Sequence, residues 1–246
     1  MIKAITTIHW GGAGAVLQVR EAVATSTAVL VKRVLDRDKC DAVLRAVSES
    51  GPTTFLEPFP GENIVSYARN PRTKHTYPPS LLLSGKGGAS LAQTRLDLRP
   101  CFEPRTALPK SMRKQLLGGF ALNEKASMLF VTAAGVRTPL HSDERHGMLL
   151  HVSGQKNFVV VPSSESDGDK ATLRELLSLR DAVGSQAEVF DEVAPATPAL
   201  LKVKRFQGAL EPGDALFLPQ RWLHDIESET PTVSVSLRFG NWDRPN

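Results

Sequence analysis

The sequence is poor in cysteine and has no long hydrophobic run. Its 246 residues include two cysteines, Cys40 and Cys101, which cannot form a CxxC metal site or a disulfide framework. A reducing, cytoplasmic environment is therefore expected. The N-terminus lacks the apolar core of a signal peptide, and its longest uncharged apolar run, residues 22–31, is too short to span a membrane. We expect a soluble protein without a membrane partner.

Glycine motifs that bind nucleotides are also absent. The cluster at 11–14, Gly-Gly-Ala-Gly, lacks the third glycine and the following helix of a dinucleotide fingerprint, so it predicts a turn. Residues 84–88, Ser-Gly-Lys-Gly-Gly, lack the G-x-x-x-x-G-K-[ST] spacing of a phosphate loop. The formal net charge of +4 falls short of a nucleic-acid-binding signature, and acidic residues are interspersed almost everywhere. We do not expect a nucleic-acid partner.

The C-terminal half is dominated by short strand patterns. Leucines at near-helical spacing predict one helix at 171–183, inside a polar insertion at 163–198. Many short strands around one helical insertion favour a jelly roll, a mainly β fold with peripheral helices. We expect one domain, 1–246, with an N-terminal elaboration of helices and loops (1–120) and a β core (121–246). The strands are predicted at 128–132, 148–152, 157–161, 201–206, 215–218 and 232–239.

The N-terminal half begins with one or two strands in residues 1–20. A β-branched, apolar run at 27–34 predicts another strand. Asp36 or Asp38 is placed to cap a helix whose apolar residues follow helical spacing and which ends at Gly51. We expect this helix to pack outside the barrel.

Residues 58–88 are rich in proline, glycine and polar side chains. A long irregular stretch inside a compact domain is usually mobile or functional, and its basic and aromatic residues would suit substrate contact as well as a solvated loop. After it, we predict a short helix capped by Ser90 and running through Leu96. A second helix is expected to open at Pro109.

A histidine and a carboxylate stand two positions apart, at His141 and Asp143. In an extended strand, residues i and i+2 project from the same face, so these two side chains can bind one ion. His224, just after a strand-like run and a proline-bearing turn, is the best third ligand. Two histidines and one carboxylate with open coordination positions suit non-haem Fe(II) oxygenases. An H-x-D pair alone is also common as a surface or capping pair. The segment that ends at His224 is therefore the stronger evidence for a metal site.

Taken together, the motifs resemble the cupin-like JmjC family of Fe(II)- and 2-oxoglutarate-dependent oxygenases. The matching segments are T-x-x-H-x-D at 138–143, G-x-K at 154–156, P-G-D-A-L-F-L-P-x-x-W-x-H at 212–224 and V-S-V-S-L-R-F at 233–239. The resemblance is closest to the asparaginyl-hydroxylase branch. It covers roughly the C-terminal half of the chain.

The resemblance implies a double-stranded β-helix with a metal site in the barrel mouth. Its cofactors would be Fe(II), the cosubstrate 2-oxoglutarate and dioxygen. His141, Asp143 and His224 would be the metal ligands and catalytic residues. Lys156 and Thr138 would supply the charge and the hydroxyl that bind the far carboxylate of 2-oxoglutarate.

Two positions depart from that branch. Arg238 stands where the branch has an asparagine near the metal, and Gly147 stands where it has an amide side chain. Arg238 would supplement Lys156 in cofactor binding, form a salt bridge with Asp143, or bind an acidic substrate. A plain structural ion pair is an equally good interpretation.

The remaining motif residues are interpreted as structural. His146 lies close to the metal strand, and His151 is expected to face inward by strand alternation, but such histidines are more often packed than ligating. Trp222 and Pro219 are expected to shape the turn before His224. Asp214, after a glycine, is expected to cap a tight turn.

The expected function is hydroxylation coupled to decarboxylation of 2-oxoglutarate to succinate. The substrate would be a peptidyl side chain of a protein partner or a small molecule. The alternative is a cupin that binds metal without oxygenase activity, or a metal-dependent isomerase. Thr138 and Lys156 distinguish the two, because only a 2-oxoglutarate enzyme needs both at these spacings.

Overall fold

The computed structural model describes residues 2–12, 14–56, 72–85, 93–97, 101–103, 108, 110–111, 122–143, 145–162 and 204–239. In the first part of the chain the elements are β1 (Ile2–Ala4), β2 (Thr7–His9), α1 (Ala15–Ala24), β3 (Val29–Lys32), α2 (Arg37–Ser48), β4 (Thr53–Leu56), β5 (Arg72–Tyr77), α3 (Pro79–Leu83) and β6 (Gln93–Asp97). After a short 3-10 helix at Glu124–Ala126 follow β7 (Met128–Thr132), β8 (Arg137–Ser142), β9 (His146–Ser153), β10 (Lys156–Val161), β11 (Arg205–Leu210), β12 (Ala215–Leu218), β13 (Leu223–Ser228) and β14 (Thr232–Phe239).

These strands form two sheets. The smaller sheet has the order β1-β11-β10-β13-β8, and the larger has the order β2-β3-β12-β9-β14-β7-β6-β4-β5. Consecutive strands such as β9 and β10 belong to different sheets, as the chain of a jelly roll requires. The predicted mainly β jelly roll is confirmed.

The two sheets enclose an apolar interior. Phe158 and Val160 of the smaller sheet belong to the same buried cluster as Leu30, Leu149 and Leu216 of the larger one. Because side chains alternate along a strand, Lys156, two residues before Phe158, projects to the same inner face. It is only 4% exposed.

The helices cover the outer face of the larger sheet. Buried residues of α1, α2 and α3, including Val19, Val43 and Leu82, share a cluster with Leu150 and Val235 of that sheet. The predicted helix at α2 is confirmed, with the Asp36 carboxylate accepting a hydrogen bond from the Lys39 backbone N–H at 2.9 Å. None of the helices in the described ranges is long and apolar enough to cross a membrane.

Polar residues line one side of the barrel interior. On β14, Val233, Val235 and Leu237 belong to the outer cluster, so the alternate residues face inward. Five buried residues that face inward are called the polar side from here on: His151, Lys156, Ser228, Ser234 and Ser236. It is held together by hydrogen bonds such as His151 Nδ1 to Ser234 Oγ at 3.0 Å.

Two of the N-terminal predictions are wrong. A helix, α1, does follow the glycine cluster, because Ala15, Val19 and Ala22 share one face of it and become buried. In the helix predicted from Ser90 through Leu96, residues 93–96 instead lie in strand β6, which pairs with both β4 and β7, and residues 90–92 lie outside the described residues. Pairing on both sides outweighs a local capping signal.

Residues 1–120 contribute more strands than expected. Strands β1 to β6 join both sheets, and β3 pairs directly with β12 of the core. The stretch 58–88 is not irregular throughout, since β5 and α3 lie within it and β5 pairs with β4. Tertiary pairing of this kind leaves little trace in local sequence.

In the C-terminal half, the strands predicted at 128–132, 215–218 and 232–239 are confirmed at the same bounds. Strand β11 begins at Arg205, later than predicted, and strand β13 was not predicted. The insertion 163–198 with its helix, and all but residues 110–111 of the helix expected after Pro109, lie outside the described residues. Cys40 and Cys101 are both buried and free.

A buried ion pair joins β8 to β13 on the face turned away from the barrel interior. Arg137 Nε lies 2.9 Å and 3.0 Å from the two carboxylate oxygens of Asp225. The Asp225 side chain is fully buried, and this burial raises its pKa to about 6 although Arg137 acts in the opposite direction. Asp225 therefore depends on Arg137 for compensation of its charge.

We predict that Arg137→Met lowers the free energy of unfolding by about 3 kcal/mol, because it leaves a buried carboxylate without its partner. Urea unfolding at neutral pH measures the change. The double variant Arg137→Met/Asp225→Asn should recover a large part of the loss. A single-variant loss below about 0.5 kcal/mol would show that the pair contributes nothing.

Candidate metal centre

The two candidate histidines meet across neighbouring strands. His141 on β8 stands directly opposite His224 on β13. Directly opposed residues of an antiparallel pair share one face, so their side chains are neighbours. The ring centroids are 4.2 Å apart.

Asp143 joins them from the end of β8. Its Oδ2 lies 3.3 Å from His224 Nε2. The backbone N–H of Arg221 donates a hydrogen bond of 2.9 Å to the Asp143 carbonyl, so the turn before β13 is tied to the residue that follows β8. Arg221 takes a left-handed conformation, with φ of 66°, to make this turn.

The three side chains can bind one ion together. One ligand atom from each of His141, Asp143 and His224 lies within 4.8 Å of the others. His224 is buried, whereas the other two are partly exposed, which leaves the group open on one side. The fold therefore brings together the three residues that the sequence predicted as a group.

The donor set fits a divalent metal. His224 Nδ1 is 3.1 Å from the Trp222 carbonyl oxygen, which can only accept a hydrogen bond. The proton therefore resides on Nδ1, and Nε2, which faces Asp143, keeps its lone pair for a metal. Two imidazole nitrogens and one carboxylate oxygen are the ligands of facial-triad iron sites.

Asp143 is held in its ionised form. Burial acts to raise its pKa, but the contact with His224 and the neighbouring Arg238 and His141 together hold the pKa well below its usual range. The carboxylate is thus ready to bind a cation at neutral pH.

A bulge in β8 places Thr138 on the same face as His141. Thr138 stands opposite Ile226 and His141 opposite His224, so residues 139–140 face the single residue Asp225. In a regular strand, residues three apart would point to opposite faces; the extra residue restores a common face. The hydroxyl and the imidazole therefore both face the barrel interior.

Lys156 lies deeper in the same interior. It stands opposite Ser228, which is four residues along β13 from His224. At the rise of a strand, the backbones of Ser228 and His224 are about 14 Å apart. Burial lowers its pKa to about 7. Within the described part of the chain its ammonium group has no hydrogen-bonding or ionic partner. A buried ammonium group without a partner destabilises the folded protein unless an anion binds to it.

Arg238 forms an ion pair with Asp143, one of the alternatives that the sequence left open. Its Nη1 donates a hydrogen bond to Asp143 Oδ2, the oxygen that also faces His224. Arg238 stands directly opposite Gly147 on β9. A Cβ atom at Gly147 would lie 2.7 Å from Arg238 Nη1, so the glycine leaves the room that the guanidinium occupies.

Two further histidines of the described residues, His151 and His146, lie apart from the candidate ligands. His151 is fully buried on the polar side, and its Nε2 is 2.9 Å from the Gly154 carbonyl. Burial, with the nearby charge of Lys156, lowers its pKa to about 4, so it is neutral. His146 faces the outer surface of the sheet, where its ring stacks on Phe217 at 5.9 Å.

The structural roles expected for the turn residues agree with their contacts. Asp214 accepts a hydrogen bond from the Glu211 backbone N–H at 2.9 Å and so caps its turn, and it also binds Lys32. Trp222 is buried against Phe206, with the ring centroids 6.4 Å apart.

Three features of the site were missed from the sequence. They are the bulge in β8, the Arg137–Asp225 pair and the carbonyl of Trp222 that orients His224. The W-x-H spacing, two residues along an extended chain, was the only available signal for the last of these. The other two depend on the register between β8 and β13.

Comparisons with known proteins agree with this geometry. Residues 60–243, about three quarters of the chain, match the family model of the cupin-like domain. Jumonji C domain-containing protein 5 of Drosophila melanogaster is 33% identical over 105 residues, 42% of this chain and 25% of the relative. tRNA wybutosine-synthesizing protein 5 of Gallus gallus is 30% identical over 120 residues, 46% of this chain and 33% of the relative.

A third relative aligns with a longer part of the chain. HSPB1-associated protein 1 of Homo sapiens is 28% identical over 137 residues, 55% of this chain and 28% of the relative. The chain thus covers a third or less of the length of these three curated relatives. The match to the family model and the paired motifs lead to one conclusion: the chain belongs to the cupin-like family, in its JmjC branch.

Proposed function

We propose that this protein is an Fe(II)- and 2-oxoglutarate-dependent oxygenase that hydroxylates a peptidyl side chain or a small molecule. The observation that carries this proposal is the buried Lys156, which has no partner within the described residues and faces the same interior as the candidate triad. A dicarboxylate would give that lysine its counter-charge.

Each residue of the site has a task in this proposal. His141, Asp143 and His224 would hold Fe(II), which would supply the oxygen chemistry that couples decarboxylation of 2-oxoglutarate to hydroxylation. Lys156 and Thr138 would hold the far carboxylate of the cosubstrate. The carbonyl of Trp222 orients His224, and Arg238 orients Asp143.

The apolar part of the interior excludes water from the reaction. Phe158, Val160 and Leu149 are buried beside the residues that would bind the cosubstrate. In such surroundings the charge interactions of Lys156 and Asp143 are stronger than in water. The alternative of a metal-binding cupin without oxygenase activity would use the same triad, but it offers no reason for a buried lysine that has no partner among the described residues.

The proposal is tested by succinate formation. Purified protein with Fe(II), 2-oxoglutarate and oxygen should form succinate slowly in the absence of substrate, and omission of either Fe(II) or oxygen should stop it. No succinate from a folded, iron-loaded protein would contradict the proposal.

We predict that His224→Ala lowers the rate of succinate formation at least about 100-fold, because it removes a ligand and leaves Asp143 without its neighbour. His146→Ala is the matched control, since that histidine faces the outer surface of the sheet. It should keep a rate close to that of wild type. An equal loss of the rate of succinate formation in the two variants would contradict the assignment of the triad.

A second prediction concerns the metal-free protein. The folded-state pKa of Lys156, about 7, lies below the ordinary lysine value of 10.5, so the unfolded chain binds more protons between these pH values. Stability therefore rises with pH across this window. Lys156→Met should raise the free energy of unfolding at pH 7 by about 2–4 kcal/mol, and the gain should fade as the pH approaches 10.5.

The same variant should bind 2-oxoglutarate at least about 30-fold more weakly, as expected when one partner of a buried charge pair is removed. Urea unfolding and cosubstrate titration of the metal-loaded protein measure the two effects. A variant that is less stable than wild type yet binds 2-oxoglutarate equally well would assign Lys156 a purely structural role.

A further inference from the structure

We propose that Arg238 determines substrate specificity by binding an anionic group of the primary substrate, a carboxylate in the simplest case, beside the metal centre. This inference rests on the proposed function above and names the class of substrate that the site selects. It follows from the hydrogen bonding of Arg238, from Gly147 opposite it, and from the charges inside the barrel.

The guanidinium of Arg238 has unused hydrogen-bonding capacity. An arginine side chain carries five N–H donors. In the described ranges, the side chain of Arg238 has one partner, Asp143, and it is 17% exposed. None of its nitrogens is among the buried atoms without a partner, so the unused donors remain accessible from the open side of the site. A planar fork of this kind suits a carboxylate.

Gly147 makes room for this arginine. The two residues stand directly opposite each other on β9 and β14. Since a Cβ atom at Gly147 would lie 2.7 Å from Arg238 Nη1, any other residue there would displace the guanidinium. Glycine at 147 and arginine at 238 therefore work as a pair that places a fixed positive charge next to Asp143.

Counted over the described residues, the charges inside the barrel leave one positive charge unmatched. A divalent metal, Lys156 and Arg238 are opposed by one described carboxylate, that of Asp143, which leaves three positive charges. A 2-oxoglutarate dianion would neutralise two of them. Arg137 and Asp225 neutralise each other on the outer face and do not alter this balance. Because an uncompensated charge in a partly buried site is costly, a singly anionic substrate group would complete the site.

Two of the described residues beside Asp143 are basic. Arg145 follows Asp143 by two residues, and Arg221 donates its backbone N–H to the Asp143 carbonyl. Their charges favour the approach of an anion, although the sequence also places the acidic Glu144 between Asp143 and Arg145.

The test compares two ligands of the same shape under anaerobic conditions. Benzoate and benzamide are titrated into the Fe(II)- and 2-oxoglutarate-loaded protein, and the shift of its visible charge-transfer band reports entry into the site. In wild type, benzoate should bind at least tenfold more tightly than benzamide. Arg238→Gln should abolish this preference, Arg238→Lys should keep part of it, and Arg37→Gln, which removes an exposed arginine of α2 on the outer side of the larger sheet, should keep it in full.

Three outcomes would overturn the inference. Benzoate and benzamide binding equally to wild type would exclude an anion site. A preference for benzoate that survives in Arg238→Gln would show that the anion binds the metal directly. Loss of the 2-oxoglutarate band in Arg238→Gln and also in Gly147→Ala, whose Cβ displaces the guanidinium, would show that Arg238 only positions Asp143.

The failure of the proposed function has a different signature. In that case wild type itself forms no charge-transfer band with Fe(II) and 2-oxoglutarate, and the inference falls with it. A wild-type band without any preference for benzoate would remove the inference alone.

Discussion

The pairing of β8 with β13 is the constraint on which the site depends. It brings His141 opposite His224, and its bulge turns Thr138 to the same face. The Arg137–Asp225 ion pair locks the two strands together on the outer side, where it does not interfere with the metal ligands. A slip of one residue in this register would turn every side chain of one strand to the opposite face, so the triad and the candidate cosubstrate residues would be lost together.

Among the described residues, the charges in the barrel interior are not balanced by protein groups alone. Lys156 is buried with a lowered pKa, and Asp143 must serve both Arg238 and any bound metal. Such an arrangement weakens the metal-free fold and is stabilised by ligands that bring negative charge. The same lysine therefore lowers the stability of the apoprotein and raises the affinity for an anionic cosubstrate.

Much of the fold, and the grouping of the three candidate ligands, could be predicted because their signals are local. Alternating apolar residues located β7, β12 and β14, and Asp36 marked the start of α2. The ion pairs could not be predicted, since Arg238 and Asp143 are 95 positions apart and Arg137 and Asp225 are 88 apart. Their contacts depend on strand register. Strand β6 and helix α1 were missed because neighbouring elements, rather than local sequence preference, decide their conformation.

The most direct test of the account compares two 2-oxo acids that chelate a metal identically. Metal-free protein is titrated anaerobically with Fe(II) and then with either 2-oxoglutarate or 2-oxobutyrate, which lacks the far carboxylate. We predict a visible charge-transfer band at one equivalent of 2-oxoglutarate, and a requirement for at least about 100-fold more 2-oxobutyrate, because only the first ligand reaches Lys156. No band with either acid, or equal affinity for both, would contradict it.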